Sequence, residues 1–200
     1  SGWSGGIGYE ETNFRGMGQR LAVGFETGDR EQYYVSLKEP YMDEKNYAWQ
    51  IGAYKRSWDD LVKYDPTGVE TVVYDEDKTG FFAGLGKKFK NNKNLSWYIT
   101  AEWKDISIDP VSGDFDPAYL KSKLLDGVSF TLTGTLTRDQ RNEYLSYPNG
   151  DVEILGIEQA LEFLGGEWNY TKYWVEARYY KPIDIFNNIF DFKFSNEDVP

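Results

Sequence analysis

Val128-Ser129-Phe130-Thr131-Leu132-Thr133-Gly134-Thr135-Leu136-Thr137 alternates without a break. Successive side chains of a β-strand point to opposite faces, so this stretch makes one apolar face and one hydroxylated face. Wound into a helix, the same residues would show polar groups on every side. Period two therefore fixes a strand, and it recurs along the whole chain. Leu95, Trp97, Ile99, Ala101 and Trp103 oppose Ser96, Tyr98, Thr100, Glu102 and Lys104. Trp3, Gly5, Ile7 and Tyr9 oppose Ser4, Gly6, Gly8 and Glu10, and Leu21, Val23 and Phe25 oppose Arg20, Ala22, Gly24 and Glu26. Tyr33, Val35 and Leu37, then Tyr47, Trp49, Ile51 and Ala53, then Phe81, Ala83 and Leu85 continue the rhythm. Tyr173, Val175, Ala177 and Tyr179 and finally Phe190, Phe192 and Phe194 complete about ten strands.

Short Gly/Asn/Asp connections such as Thr27-Gly28-Asp29-Arg30 and Asn91-Asn92-Lys93-Asn94 suit hairpins. Longer polar links are predicted over 57–78 and 106–126, with one helical turn at 119–125. The run Asp151–Leu161, with Ile154-Leu155-Gly156-Ile157, breaks phase and predicts a β-bulge. No composition shift divides the chain, so residues 1–200 read as one domain.

Composition removes whole classes of function. The 200 residues contain no Cys and no His, which excludes thiolate chemistry, disulfides and the commonest general base and metal ligand. A net charge of −11 argues against a nucleic-acid partner. Asp59/Asp60, Asp75-Glu76-Asp77, Asp109, Asp114 and Asp116 read as solvated loop acids, and consecutive acids lack the alternate-position spacing of a calcium loop. Gly84-Leu85-Gly86 precedes no helix, so it is not a phosphate loop; its glycines are expected to leave space or allow curvature. No catalytic, cofactor or metal site is expected, and the chain is read as a non-enzyme.

Alternation alone also fits a soluble β-sandwich. Three features favour a transmembrane barrel. The polar faces are rich in Ser, Thr, Glu and Lys, as a hydrated lumen requires. Aromatics (16 Tyr, 12 Phe and 7 Trp) are expected to form interfacial girdles at strand ends, at Tyr9, Tyr41, Tyr47, Trp58, Trp97, Trp103, Tyr173 and Tyr179. Strands are long and nearly all hairpin-connected, as in an up-and-down meander. A barrel strand needs only about 9–11 residues to cross, so the absence of a long apolar run is no obstacle.

Several motifs in order carry a family resemblance. Gly5-Gly6-Ile7-Gly8-Tyr9 followed by Asn13-Phe14-Arg15-Gly16-Met17-Gly18 resembles the first strand and "N-[FL]-x-G-x-G" loop of the BamA-type assembly proteins of the bacterial surface antigen superfamily. Tyr33 to Lys38 ending in Glu39-Pro40-Tyr41 is similar to that family's third strand and its "[NEDP]-P-[YW]" turn. Thr137-Arg138-Asp139-Gln140-Arg141-Asn142 resembles "T-x-D-x-R-[DN]" of the fourth extracellular loop, and Tyr147-Pro148-Asn149-Gly150 follows it one residue shorter than "[FY]-P-x-x-G". Tyr170 to Pro182 resembles the ninth strand, so that the likeness spans residues 1–194. The "[VL]-R-G-[FY]" motif of the sixth loop and the POTRA domains of that family have no counterpart among these 200 residues.

The resemblance implies an all-β, antiparallel up-and-down transmembrane β-barrel, shortened or partial beside the family's sixteen strands, in the bacterial outer membrane. It implies insertion of other barrels through a weak lateral seam, here the first strand with Trp3, Gly5, Gly6, Ile7, Gly8 and Tyr9. Its partners would be outer-membrane lipid, unfolded outer-membrane protein clients, and further strands or another chain to complete the wall. A shortened structural or pore-type barrel without insertase activity is the alternative. Arg138, Asp139 and Arg141 either anchor a loop as a charge network or form a solvated hairpin end. A barrel should need detergent and migrate faster on an unheated gel than after boiling; a soluble sandwich should do neither.

Overall fold

The alternating runs become ten antiparallel strands in one sheet, ordered as they occur in the chain. They are β1 (Ser4–Phe14), β2 (Gln19–Gly28), β3 (Arg30–Glu39), β4 (Ala48–Tyr64), β5 (Glu70–Phe89), β6 (Asn92–Gly113), β7 (Gly127–Asp139), β8 (Gly150–Ala160), β9 (Thr171–Ile183) and β10 (Asn188–Asn196). The computed structural model describes residues 3–28, 30–43, 45–64, 70–113, 124–142, 149–183 and 188–196. Side chains are described except at 63, 64, 70, 71, 182, 183 and 188–196. Within these residues β1 and β10 do not pair with each other, so the sheet is an open wall.

The two faces are packed inside out. Ser129 and Thr131 on the polar face are 0% and 1% exposed, whereas Ile7, Ile51, Phe81 and Val175 on the apolar face are each more than half exposed. A soluble sandwich would bury the apolar set against a second sheet. Here that face has nothing over it among the described residues, and its extent far exceeds what a water-soluble monomer normally exposes.

Register explains how the polar face packs. On it, Gly24 lies directly opposite Tyr34, Gly52 opposite Phe82, Gly80 opposite Tyr54, Gly86 opposite Tyr98, and Gly156 opposite Trp174. Each ring lies over the glycine across from it. A Cβ on Gly80 would stand 2.7 Å from the Tyr54 ring, and one on Gly52 2.5 Å from Phe82. Rings laid flat on bare backbone bury apolar area while leaving the lumen-side surface polar. Gly86 is thus filled by a ring and does not leave the empty space expected of it. Tyr98 also covers Gly84, and the Tyr54 hydroxyl, beyond the ring that covers Gly80, donates to Glu102 Oε1 at 2.8 Å.

Other expectations need correction. The link predicted over 57–78 is mostly strand, as β4 runs to Tyr64 and β5 starts at Glu70; β6 likewise runs to Gly113. β3 leaves β4 at Trp58 and β7 meets β6 only from Ile106, so the far ends of β4, β5 and β6 pair only with one another. They project as a three-stranded ribbon whose inner face buries Val72, Ile106 and Ile108 with Tyr74 and Leu124. The acids around it stay in water, which is why the ribbon reads as loop. Pro110 is accommodated beside the irregularity at Val73/Tyr74, where a lost donor is tolerated.

No bulge interrupts 151–161: β8 keeps continuous register with both neighbours, and Ile154 is simply an apolar residue on the lumen face. Irregularities occur instead in β1–β2, β4–β5 and β5–β6. Trp58 shares the lumen face with Tyr54 and Arg56, with the Arg30 guanidinium 5.8 Å from its ring, so it is no part of an outer girdle. Trp103, expected at a strand end, lies mid-strand because β6 is longer than predicted. Of the expected helical turn at 119–125, residues 119–123 lie outside the described residues.

Gly156→Ala would drive a methyl into the Trp174 ring and should destabilise the folded wall by about 1–3 kcal/mol. The outward Gly134, whose Cβ would meet only Ile157 Cγ2 at 3.6 Å, should accept Ala. The midpoint of heat-modifiable migration for each variant checks the contrast, and Gly156→Ala with Trp174→Ala should recover part of the loss.

Candidate functional site

β1 has β2 on one side and no strand on the other among the described residues. Among the described residues one row of its backbone N–H and C=O groups is unpaired, as is the matching row of β10. Trp3, Ile7 and Tyr9 stand 75%, 76% and 60% exposed on the outward face of this edge. The glycines of the sequence-predicted seam divide into two kinds. A Cβ on Gly6 would come 2.8 Å from the Phe25 carbonyl, so the close approach of β1 to β2 requires glycine there. Gly5 and Gly8 meet nothing closer than 3.8 Å. No packing among the described residues demands glycine at those two positions, although both lower strand propensity. Gly6 and Gly8 form the floor of a shallow lumen-side cavity of about 210 Å³ walled by Tyr34, whose ring covers Gly24.

The turn leaving β1 explains its motif. Arg15, Gly16 and Gly18 all have positive φ, near 58°, 69° and 72°. Glycine tolerates this without a Cβ penalty. The Asn13 side-chain oxygen accepts the Gly18 N–H at 2.8 Å, the Asn13 carbonyl accepts Gly16 N–H at 2.8 Å, and Glu11 accepts the Asn13 N–H at 2.9 Å. Asn13 thus ties both ends of a two-glycine loop. The Glu39-Pro40-Tyr41 turn is held similarly: Asp43 accepts the N–H groups of Lys45 and Asn46, each at 2.6 Å, and the Tyr41 hydroxyl at 3.1 Å. Those backbone donors hold the Asp43 carboxyl below its ordinary range. Sequence reading named that turn but missed the aspartate that closes it.

The structure places Arg138, Asp139 and Arg141 at the β7–β8 tip in two separate networks. Arg138 donates to Glu153 Oε2 at 2.7 Å and to Gln140 Oε1 at 2.6 Å. Arg141 donates Nε and Nη2 to the two oxygens of Asp139, at 3.0 and 2.6 Å, and its guanidinium lies 5.4 Å from the Tyr180 ring. The bidentate geometry is the stronger form of such a pair. Gln140 N–H to the Asp151 carbonyl, at 2.9 Å, prolongs the ladder beyond the strands. Tyr147 and Pro148 of the adjoining motif lie outside the described residues.

The outward apolar band is uneven. On β6 it runs nine residues, Leu95–Trp103, and on β7 from Val128 to Leu136. On β2 it runs only from Leu21 to Phe25, between Gln19 and Thr27, and on β3 from Tyr33 to Leu37, between Glu31 and Glu39. β5 carries the same five-residue stretch, Phe81–Leu85 between Thr79 and Lys87, and β8 only Leu155–Ile157 between Glu153 and Gln159, so the height of the band varies from strand to strand across the wall.

Residues 13–197 match the model of the Omp85 superfamily domain. The chain belongs to the Omp85 superfamily. Among solved structures its fold is similar to the crystal structure of BamA from Haemophilus ducreyi lacking POTRA domains 1-3, with a TM-score of 0.63 at 16% identity. That likeness covers 98% of this chain and 41% of the BamA chain, so this chain spans about two fifths of its length. No curated protein matches the chain. Superfamily and fold together establish an all-β barrel wall, and the resemblance carried by the Asn13–Gly18 and Thr137–Asn142 motifs stands.

Asn13→Ala should release the β1–β2 loop at a cost of about 1 kcal/mol, read as faster proteolysis between Phe14 and Gly18. The Arg141 guanidinium beside Asp139 holds that carboxyl below the ordinary carboxylate range. Its stabilising contribution is complete above the ordinary value and is lost as pH falls through the depressed one. Protease resistance of the β7–β8 tip should therefore persist at pH 5–7 and fall off below about pH 4, and Arg141→Gln should remove that dependence.

Proposed function

We propose that this chain forms the seam-bearing part of a bacterial outer-membrane barrel that accepts incoming strands of other outer-membrane proteins at β1. The observation that carries this reading is the pairing of β1 on one side only among the described residues, with Gly5 and Gly8, glycines that no contact with a described residue requires. An unpaired row of backbone groups is a template for strand addition. Glycines keep the template weakly held, so that pairing there can be exchanged. On the other side, β10 is completed by further strands of the wall or by another chain, and the chain acts as a template and not as an enzyme.

Hydrogen exchange in lipid distinguishes this from a structural or pore-type barrel. Amides of β1 should exchange well before those of β5 and β6, and photo-crosslinkers at Ile7 or Tyr9 should capture client strands while one at Leu132 should not. Gly5→Val with Gly8→Val, worth on the order of 1 kcal/mol of strand propensity each, should slow both exchange at β1 and client insertion without lowering barrel yield. A β1 protected as strongly as β6 would overturn the proposal.

A further inference from the structure

The outward face carries one valley with a chemically distinct end. Its walls are two aromatic pairs, Phe25–Tyr33 with ring centroids 5.2 Å apart and Phe81–Trp103 with centroids 5.3 Å apart and nearly parallel rings. Its floor is Ala53, which stands between Val35 and Phe81 in register. The hollow encloses about 570 Å³, a volume in the range of sites that hold a small molecule. At the ribbon end the floor stops at Lys55, Thr79 and Asp105. These three are consecutive register partners on β4, β5 and β6, and all three are exposed. One register row further out come Ser57, Asp77 and Ser107, wholly polar, with the Ser57 hydroxyl donating to Asp77. The triplet therefore marks the boundary between the apolar band and water.

We propose that this valley seats one molecule of phosphatidylethanolamine. The inference rests on reading the outward face as lipid-facing. Lys55 and Asp105 stand two inter-strand spacings apart, roughly 9.6 Å, with the Thr79 hydroxyl between them. Neither forms an ion pair with another described residue. A lone cation here would be a snorkelling lysine, and a lone acid a cost at the membrane surface. Set side by side across one hydroxyl, they match a zwitterionic headgroup. The phosphate accepts from the Lys55 ammonium and the Thr79 hydroxyl, and the primary ammonium of ethanolamine donates to Asp105. An acyl chain then lies on Ala53 between the aromatic walls. Phosphatidylcholine has no N–H to donate. Phosphatidylglycerol brings no cation, and its net charge would face Asp77 and Asp105.

The test is native mass spectrometry of the protein at its natural length, in non-ionic detergent, with added phosphatidylethanolamine, phosphatidylcholine or phosphatidylglycerol of matched chains. Phosphatidylethanolamine should be retained about five-fold better than either other lipid, and Lys55→Gln or Asp105→Asn should each cut its retention about three- to five-fold. Lys55→Asp combined with Asp105→Lys should not restore retention, because the phosphate that carries the acyl chains must stay beside Ala53; Ala53→Phe should abolish it by filling the floor. All variants should keep heat-modifiable migration. Equal retention in wild type and variants, a preference for phosphatidylglycerol, or a protein dimer in place of bound lipid would overturn the proposal. Wild type that needs no detergent and shows no heat-modifiable band would instead overturn the lipid-facing reading beneath it.

Discussion

Backbone hydrogen bonding is the constraint from which the rest of this molecule follows. In hydrocarbon each unpaired N–H or C=O costs several kcal/mol, so a β wall must pair every strand on both sides. Strands β2 to β9 meet that requirement through an unbroken sequential meander. β1 and β10 leave one row each, and those rows are costly in lipid unless something pairs with them. The cost becomes useful where the pairing is meant to change. An edge that is expensive when empty and cheap to refill suits exchange, and the glycines of β1 hold its own pairing down.

The same constraint decides how the side chains pack. With lipid outside, the apolar face needs no protein partner, and cohesion must come from the lumen side. Aromatic rings laid over cross-strand glycines supply it without lining the lumen with aliphatic groups. Tyr54 shows the economy of the arrangement: its ring covers Gly80 while its hydroxyl reaches Glu102. At the ribbon end, where strands leave the band, ordinary burial resumes around Ile108. The β8–β9 connection closes there over the start of β7. Leu161 N–H donates to the Phe130 carbonyl, Glu167 N–H to that of Val128, and the Trp168 indole to that of Asp126. A stretch of β7 that β8 does not reach is thereby kept from becoming another open edge.

Much of this was legible in the chain because period two survives either solvent: Val128–Thr137 reads as a strand whether its apolar face meets lipid or a second sheet. What separates the two is which face is buried, and that depends on register between strands distant in sequence. The glycine–ring pairs were invisible for the same reason. Gly52 and Phe82 are thirty positions apart in the sequence and become partners only once β4 and β5 are aligned. The ribbon was missed because its acids and Pro110 carry loop chemistry, whereas they mark strands that have left the membrane. At the seam, residue types pointed to β1, but only the space around each glycine separates Gly6, held by Phe25, from Gly5 and Gly8.

These features combine into a gradient of cohesion across the sheet. β5 and β6 pair over about twenty residues, with ring-covered glycines and a small buried core at one end. β1 pairs over half that length. A uniform wall would open wherever thermal motion happened to part it. A graded one opens first at β1, because fewer hydrogen bonds and less buried area must be given up there. For the proposed exchange at β1, stiffness in β5–β6 is a condition: it would hold the rest of the wall in register while β1 gives way.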